Sequence, residues 1–552
     1  MATGKAEASH SPGGGRKVRI QTPKRASRLD THAAAALALH RQGRHADALE
    51  PLERAISIDP KNSGLYASKA SVLISLHRLD GAVEAARHAV SLDPDNPTAH
   101  GNLGAALHNQ GRHAEALDAL ERAVSLDPGD ALLHANMAAS LGGLGRHAEA
   151  LASLDRSIEL KTDSWHAHYY RGGALVALDR HADAAKAYAR AAELAPDSAL
   201  PHKGRAIALC RIGRLKDALE SFNRAIALDP ADSHSHSVVA AILADTGHEN
   251  DALSSFDTAI SLDPHDASSH LGRGLVLRSL GRHGEALESI DRAIELGSSD
   301  SRAHLGRGLV LRSLGRRDEA LAALERAAKM NPTDAAPHAQ IGIVLYDMGK
   351  KEDSLAALER AIVADQQVAD LHGNKGTVLM DLERPDEAIG AFDRMAELAP
   401  GDPHAHIYRA QALLALGCPS DALAAVDRSI SIKSTIREAH ATRAHALHLL
   451  GRHDEALVSM DKTVEMNPRD AKSHVNRGIA LGALGRHGEA VESFGRALSL
   501  DPGNRHASLG RAAALLQISR REEALASFDS ILGPQREGTP HPVPGQRQHG
   551  KR

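Results

Sequence analysis

HLGRGLVLRSLGR occupies residues 270–282 and returns letter for letter at 304–316, with starts 34 residues apart. Stepping outward by 34 from Leu277 and Leu311 meets Leu at every stop from Leu39 to Leu515, fifteen positions without an insertion or deletion. Three residues before each stands Gly or Ala, from Ala36, Ala70 and Gly104 to Gly478 and Ala512. A second small column runs Ala48, Ala82, Ala116, Ala150 onward to Ala524, broken only by Ser354. Four residues after it comes a bulky apolar column that contains every Phe: Phe222, Phe256, Phe392, Phe494 and Phe528. Small beside large, repeated in register, is how two helices approach closely and interlock.

Punctuation follows the same frame. Gly43, Gly111, Gly145, Gly213 and Gly281 follow the first apolar stretch, where a helix ends on a left-handed residue. Pro60, Pro94, Pro128, Pro196, Pro230 and Pro264 close their units, because the residue before Pro avoids helical angles. Each unit therefore reads as helix, Gly turn, helix, Pro turn. A single such pair cannot bury its apolar face, and stacking on a like neighbour supplies the missing contact. Glu50–Arg54, Asp118–Arg122, Glu220–Arg224, Glu288–Arg292 and Glu492–Arg496 are acid-then-base pairs four apart, expected to mark the solvent face of the second helix. Each is worth only about 0.2–0.5 kcal/mol.

Composition narrows the function classes. A chain of 552 residues would ordinarily hold three or four compact domains, but a repeat array escapes that limit. Hydrophobic residues make up 42% and aromatics only 2%, so the core is built from Ala and Leu. Cys210 and Cys418 have no CxxC or Cys/His surroundings and read as unpaired thiols. Neither a signal-peptide core nor an apolar run of the length a membrane helix needs is present, so a soluble, cytoplasmic protein is expected, without membrane contact. Residues 1–28 carry a net +6 and residues 533–552 a net +3, which leaves −13 for the body out of a total of −4. An acidic body is a poor nucleic-acid surface, and no nucleic-acid partner is expected.

Unit 97–130, with Leu103-Gly104, Leu107, Gly111, Ala116, Leu120, Ala123 and Pro128, resembles the tetratricopeptide repeat (TPR). The resemblance covers residues 29–532, about fifteen units. It implies an all-α fold, a right-handed superhelical solenoid of helix-turn-helix repeats whose concave face is made largely by first helices. The expected organisation is a disordered basic arm over 1–28, the array over 29–532 and a disordered Gly/Pro-rich basic tail over 533–552. With twenty residues after the array, a catalytic domain there is not expected.

The chain departs from the family in two columns. Where the family has a large aromatic near the start of the first helix, this chain has His32, His100, His134, His168, His202, His236, His270, His304, His338, His372, His406, His440 and His474. A second column, His45, His113, His147, His181, His283, His453 and His487, opens the second helix. The structural reading is that imidazole replaces an aromatic ring as a half-buried spacer. A metal role fits poorly, because column members lie a whole unit apart; His445 and His448 alone have helical ligand spacing, with nothing nearby to complete a site. A pH response follows if the rings are partly buried. The other departure is a basic residue beside the Gly/Ala column, at Lys69, Arg171, Arg205, Arg273, Arg307, Lys375, Arg409, Arg443, Arg477 and Arg511, expected to bridge to an acid in the same or next unit.

Opposite the Leu277 column, the first helices present Leu271, Leu275 and Arg278, then Leu305, Leu309 and Arg312, with Lys203, Ile207 and Arg211 upstream. An apolar strip with a basic rim suits an extended or helical peptide bearing acids; the alternative is that adjacent units cover these Leu. Within the resemblance, the carboxylate clamp that reads chaperone C-termini is matched at Lys203 alone, which disfavours chaperone docking. The Asn ladder of O-linked N-acetylglucosamine transferases has partial counterparts at Asn102, Asn136, Asn374 and Asn476, interrupted by Gly204, Val238, Gly272 and Gly306. Gly13-Gly14-Gly15 lacks the strand and helix of a phosphate loop, and no Ser/His/Asp or Cys/His arrangement stands out from the repeat. The expected function is a non-catalytic protein-interaction scaffold without cofactor or metal, binding peptide segments in the concave groove. The alternative is a substrate-recruiting regulatory subunit of a separately encoded enzyme such as a glycosyltransferase.

Overall fold

A computed structural model describes residues 23–161 and 163–532. Thirty α-helices and no strands occur among them, in the alternation the 34-residue period demands. The fold is an all-α repeat solenoid. First helices such as Pro97–Asn109 and Ala267–Ser279 have 13 residues, and most second helices, such as His113–Leu126, have 14. The initial helix runs Pro23–Arg41, so residues 23–28, expected in the basic arm, are helical. The rest of that arm and the tail 533–552 lie outside the described residues. The chain divides into two compact units between Pro264 and His265, each a stack of helix hairpins.

Local chemistry explains the helix ends. Most first helices are entered through an Asx cap: the Asn96 side chain accepts from the Ala99 amide at 3.0 Å, and Asp334 accepts from Ala336 at 2.9 Å. They end on the turn column, where all fifteen positions from 43 to 519 take φ between 55° and 79°. Eleven of these are Gly; His77, Asp179, Glu383 and Ser519 occupy the same left-handed conformation. The amide after each turn residue bonds back to the carbonyl of the Leu column, as Arg112 N–H to Leu107 O at 2.9 Å, a Schellman closure.

The core sits where the two small columns meet the bulky one. Phe222, Phe392, Leu120, Leu154, Leu277 and Leu311 are fully buried, and Ala48, Ala82, Ala116 and Ala286 have no exposed surface. The Gly of the first helix lies directly against the bulky residue sixteen positions later. A Cβ placed on Gly478 would stand 2.7 Å from Phe494 Cε1, and one on Gly172 would stand 2.7 Å from Tyr188. These contacts are what the small column exists to permit.

The expected i,i+4 pairs are mostly not made. Glu50–Arg54 forms at 2.5 Å, but Arg122 reaches Asp95 at 2.7 Å and Arg292 reaches Glu295 at 3.1 Å. The recurrent surface pair joins the Arg after the turn to an acid three residues on, as in Arg112–Glu115 at 2.6 Å and Arg486–Glu489 at 2.7 Å. That Arg sits at the second helix's N-terminus, so the acid in the first turn is the one within reach.

Candidate functional site

The His column starting first helices does more than fill space. His100 Nε2 lies 2.9 Å from the Pro94 carbonyl oxygen, His134 3.1 Å from Pro128, His440 2.9 Å from Ser434 and His474 3.0 Å from Pro468. Each ring captures a carbonyl of the turn six residues back, pinning one repeat to the next. Three members of the second His column meet another imidazole at the hairpin turn: ring centroids are 4.8 Å apart for His40–His45 and 5.0 Å apart for His108–His113 and His448–His453. Burial first, and the neighbouring ring second, depress the pKa of His40, His108 and His448. No group of three His, Cys, Asp or Glu among the described residues could hold a metal ion.

The basic column forms an ionic ladder between consecutive repeats. Arg171 meets Asp155, Arg307 meets Asp291, Arg409 meets Asp393 and Arg477 meets Asp461, all at 2.6 Å, with Arg443–Asp427 at 2.7 Å and Lys375–Glu359 at 2.8 Å. Every rung joins a first helix to the second helix of the preceding repeat, sixteen residues earlier. The bridges are made, but to the preceding repeat and not to an acid of the same or next unit as expected.

Two open cavities lie along first helices. In the first unit, about 790 Å³ is enclosed by Pro97–Asn109, Ala131–Gly143 and Trp165–Ala177, with His147–Leu160 as floor. Its polar lining includes His108, Asn109, Asn136, His166 and Tyr170, and its floor is Ala150, Leu154 and Ser157. In the second unit, about 870 Å³ is built the same way by Pro403–Ala415, Arg437–Leu449 and Ala471–Ala483 over His453–Met466. Gln411, Thr442, His445, His448 and Asn476 line it above Ala456, Met460 and Thr463. Exposed apolar groups stand at the lining of each: Leu132 (64%) and Tyr170 (51%) in the first, Ile479 (44%) in the second.

The other residues singled out in the sequence are distributed unevenly. Asn136 lies in the first cavity, whereas Asn102 turns its amide to the Ala67 carbonyl at 2.8 Å and ties two first helices together. Lys203 is held by Asp232 at 2.7 Å, Ile207 packs half-buried against the core, and Arg211 is exposed. In the second unit the strip needs one correction: Leu271 is 5% exposed and belongs to the core rather than to an open face, because its own helix packs that side inward. Leu275, Leu305 and Leu309 are half-buried, Leu275 resting against Gly306 of the next first helix. Arg278 is half-buried, and Arg312 donates to Gln340 Oε1 at 2.7 Å. The sequence marked Asn136 in the first cavity and His445, His448 and Asn476 in the second, but nothing in it grouped them into cavities.

Models of the tetratricopeptide repeat match residues 29–63, 68–131, 136–199, 240–301, 340–403, 376–435 and 475–540. A TPR repeat model matches 308–349 and a further tetratricopeptide repeat model matches 437–462. No curated protein matches the chain. Similar solved structures include YrrB, a TPR protein with an unusual peptide-binding site, 25% identical over 33% of this chain and 94% of its own, with a TM-score of 0.29. The APC/C hetero-tetramer Cut9–Hcn1 is 14% identical over 89% of this chain and 97% of its own (TM-score 0.36), and yeast Tom70 is 18% identical over 78% and 97% (TM-score 0.34).

Proposed function

Because the chain belongs to the tetratricopeptide repeat family, we propose that it is a non-catalytic scaffold that holds peptide segments of partner proteins along the open faces of its first helices. The observation that carries this reading is the pair of cavities built to one plan, three successive first helices over the floor of one second helix. Asn136 and Asn476, with the imidazoles of His166 and His445, offer both donors and acceptors, as an extended peptide backbone requires. Leu132, Tyr170 and Ile479 add apolar surface for side chains. The half-buried strip of Leu275, Leu305 and Leu309 beside Arg278 and Arg312 extends the reading to a second contact for the same class of partner. The acidic body speaks against nucleic acid, and a cytoplasmic role fits the absence, among the described residues, of a helix able to cross a membrane.

Selection of displayed peptides on the full chain, followed by fluorescence anisotropy, tests the proposal. Asn136→Ala with Tyr170→Ala, or Asn476→Ala with Ile479→Ala, is expected to weaken peptides of the corresponding cavity by about tenfold or more. Peptides indifferent to both double variants would discard the cavities, and Leu305→Asp then asks the same of the strip.

A further inference from the structure

At Arg205 the ionic ladder lacks its acid. The position sixteen residues earlier, filled by Asp155, Asp291, Asp393, Asp427 and Asp461 in sister repeats, is Ala189. Arg205 is half-buried and makes no ion pair among the described residues. Arg224 has also lost a partner: the residue three after it is Ala227, where Arg190, Arg394 and Lys462 meet Glu193, Glu397 and Glu465. Neither Glu220, four residues before it, nor Asp197 on the adjoining turn pairs with it. Arg224 donates instead to the Pro196 carbonyl oxygen at 3.4 Å.

That oxygen is the atom His202 should capture, six residues back, as His100, His134, His440 and His474 do. His202 Nε2 stands close to it without hydrogen-bond geometry, buried and without a partner. Burial first, then Arg224 and Arg205, depress the His202 pKa, and the nearby Pro196 carbonyl acts the other way. His202 and Arg205 are three apart on one helix face, and Arg224 reaches across to the turn beneath His202. Two guanidinium groups, each lacking the acid that sister repeats supply, therefore both act on His202.

We propose that this gap in the ladder is a binding site for a phosphoryl group. A phosphate monoester carries a charge of about −1.5 to −2 and three acceptor oxygens, which answers two guanidinium groups; a carboxylate would answer one. Half-burial of Arg205 strengthens its contact by excluding water, while Arg224 stands exposed on the solvent side. The site stands apart from the peptide cavities and goes beyond the scaffold reading. The same oxygens arrive on free phosphate or on a phosphorylated side chain of a partner protein.

Isothermal titration of the full chain with inorganic phosphate and with O-phosphoserine, at constant ionic strength in chloride with serine as control, tests the assignment and separates the two sources. Saturable binding is expected, weakened about tenfold or more by Arg205→Gln and by Ala189→Asp, which places the sister repeats' acid in the gap. O-phosphoserine binding at least as tightly as phosphate assigns the site to a phosphorylated side chain, and binding of phosphate alone assigns it to the free ion. Absence of saturable binding, or binding unaltered in both variants, overturns the proposal. Circular dichroism checks folding, and should Ala189→Asp fail to fold, Arg205→Gln decides alone.

Discussion

Repeats 199–232 and 369–402 solve the same two problems with their small residues exchanged. Both bury a Phe at the same register, Phe222 and Phe392. In the first repeat Ala206 faces the ring and Gly213 makes the turn at φ 74°. In the second Gly376 faces the ring, and Glu383 makes the turn at φ 57°. Glycine's two uses, close approach and left-handed backbone, are thus separable. The turn position accepts a non-Gly residue four times, whereas the seam position is Gly or Ala in every repeat. A left-handed L-residue costs about 1–2 kcal/mol once, but a large side chain in the seam would displace a buried ring and both helices.

The largest way to break the comparison is to remove the ring. Phe222→Ala and Phe392→Ala are each expected to destabilise their repeat by about 3–5 kcal/mol. Because long arrays lose all-or-none unfolding, local hydrogen exchange is the appropriate measurement. Next comes the seam: Gly376→Ala should cost about 1–3 kcal/mol, since its Cβ would fall within 3.0 Å of the Phe392 ring, while Ala206→Gly should cost only about 0.5–1 kcal/mol. An equal response at both positions would mean that helix separation adjusts freely, contrary to the interlocked seam. At the turn the sign reverses between the repeats. Gly213→Ala should destabilise by about 1–2 kcal/mol, and Glu383→Gly should stabilise by up to about 1 kcal/mol.

The smallest effect per residue concerns pH. His40, His108, His202, His304, His372, His406 and His448 all have pKa values depressed below 6.5, burial being the first cause in each. The unfolded chain then binds more protons, so stability is full above pH 6.5 and declines as pH falls through that value toward the folded pKa values. Melts followed by circular dichroism should shift downward between pH 7.5 and 5.5. Both repeats should respond, through His202 in one and His372 in the other. A repeat whose protection factors ignore pH would show that its His contributes packing alone.

How much was legible varied with the range of the interaction. The Leu, Gly/Ala and Phe columns announced the hairpins because core packing repeats with the backbone and leaves a period in the letters. The His column was visible as a substitution, but its hydrogen bonds to turn carbonyls were not, since nothing in the sequence says which way a ring turns. The ladder was half visible: the bases formed a column, and only the contact with the preceding repeat revealed that the residue sixteen positions earlier is the partner. Counting round an ideal helix puts Leu271 on the open strip, because the count cannot see which side of the helix packs inward.

By itself, the sequence determined the repeat length, the helix-turn-helix order, the turn column and the seam, because these depend on contacts within one unit that every unit repeats. Tertiary structure alone decided that three first helices enclose a cavity, that Lys203 and Arg312 are held by Asp232 and Gln340, and that Arg205 faces an Ala. Those outcomes arise between units, where stacking brings together side chains whose separation in the chain carries no local signal.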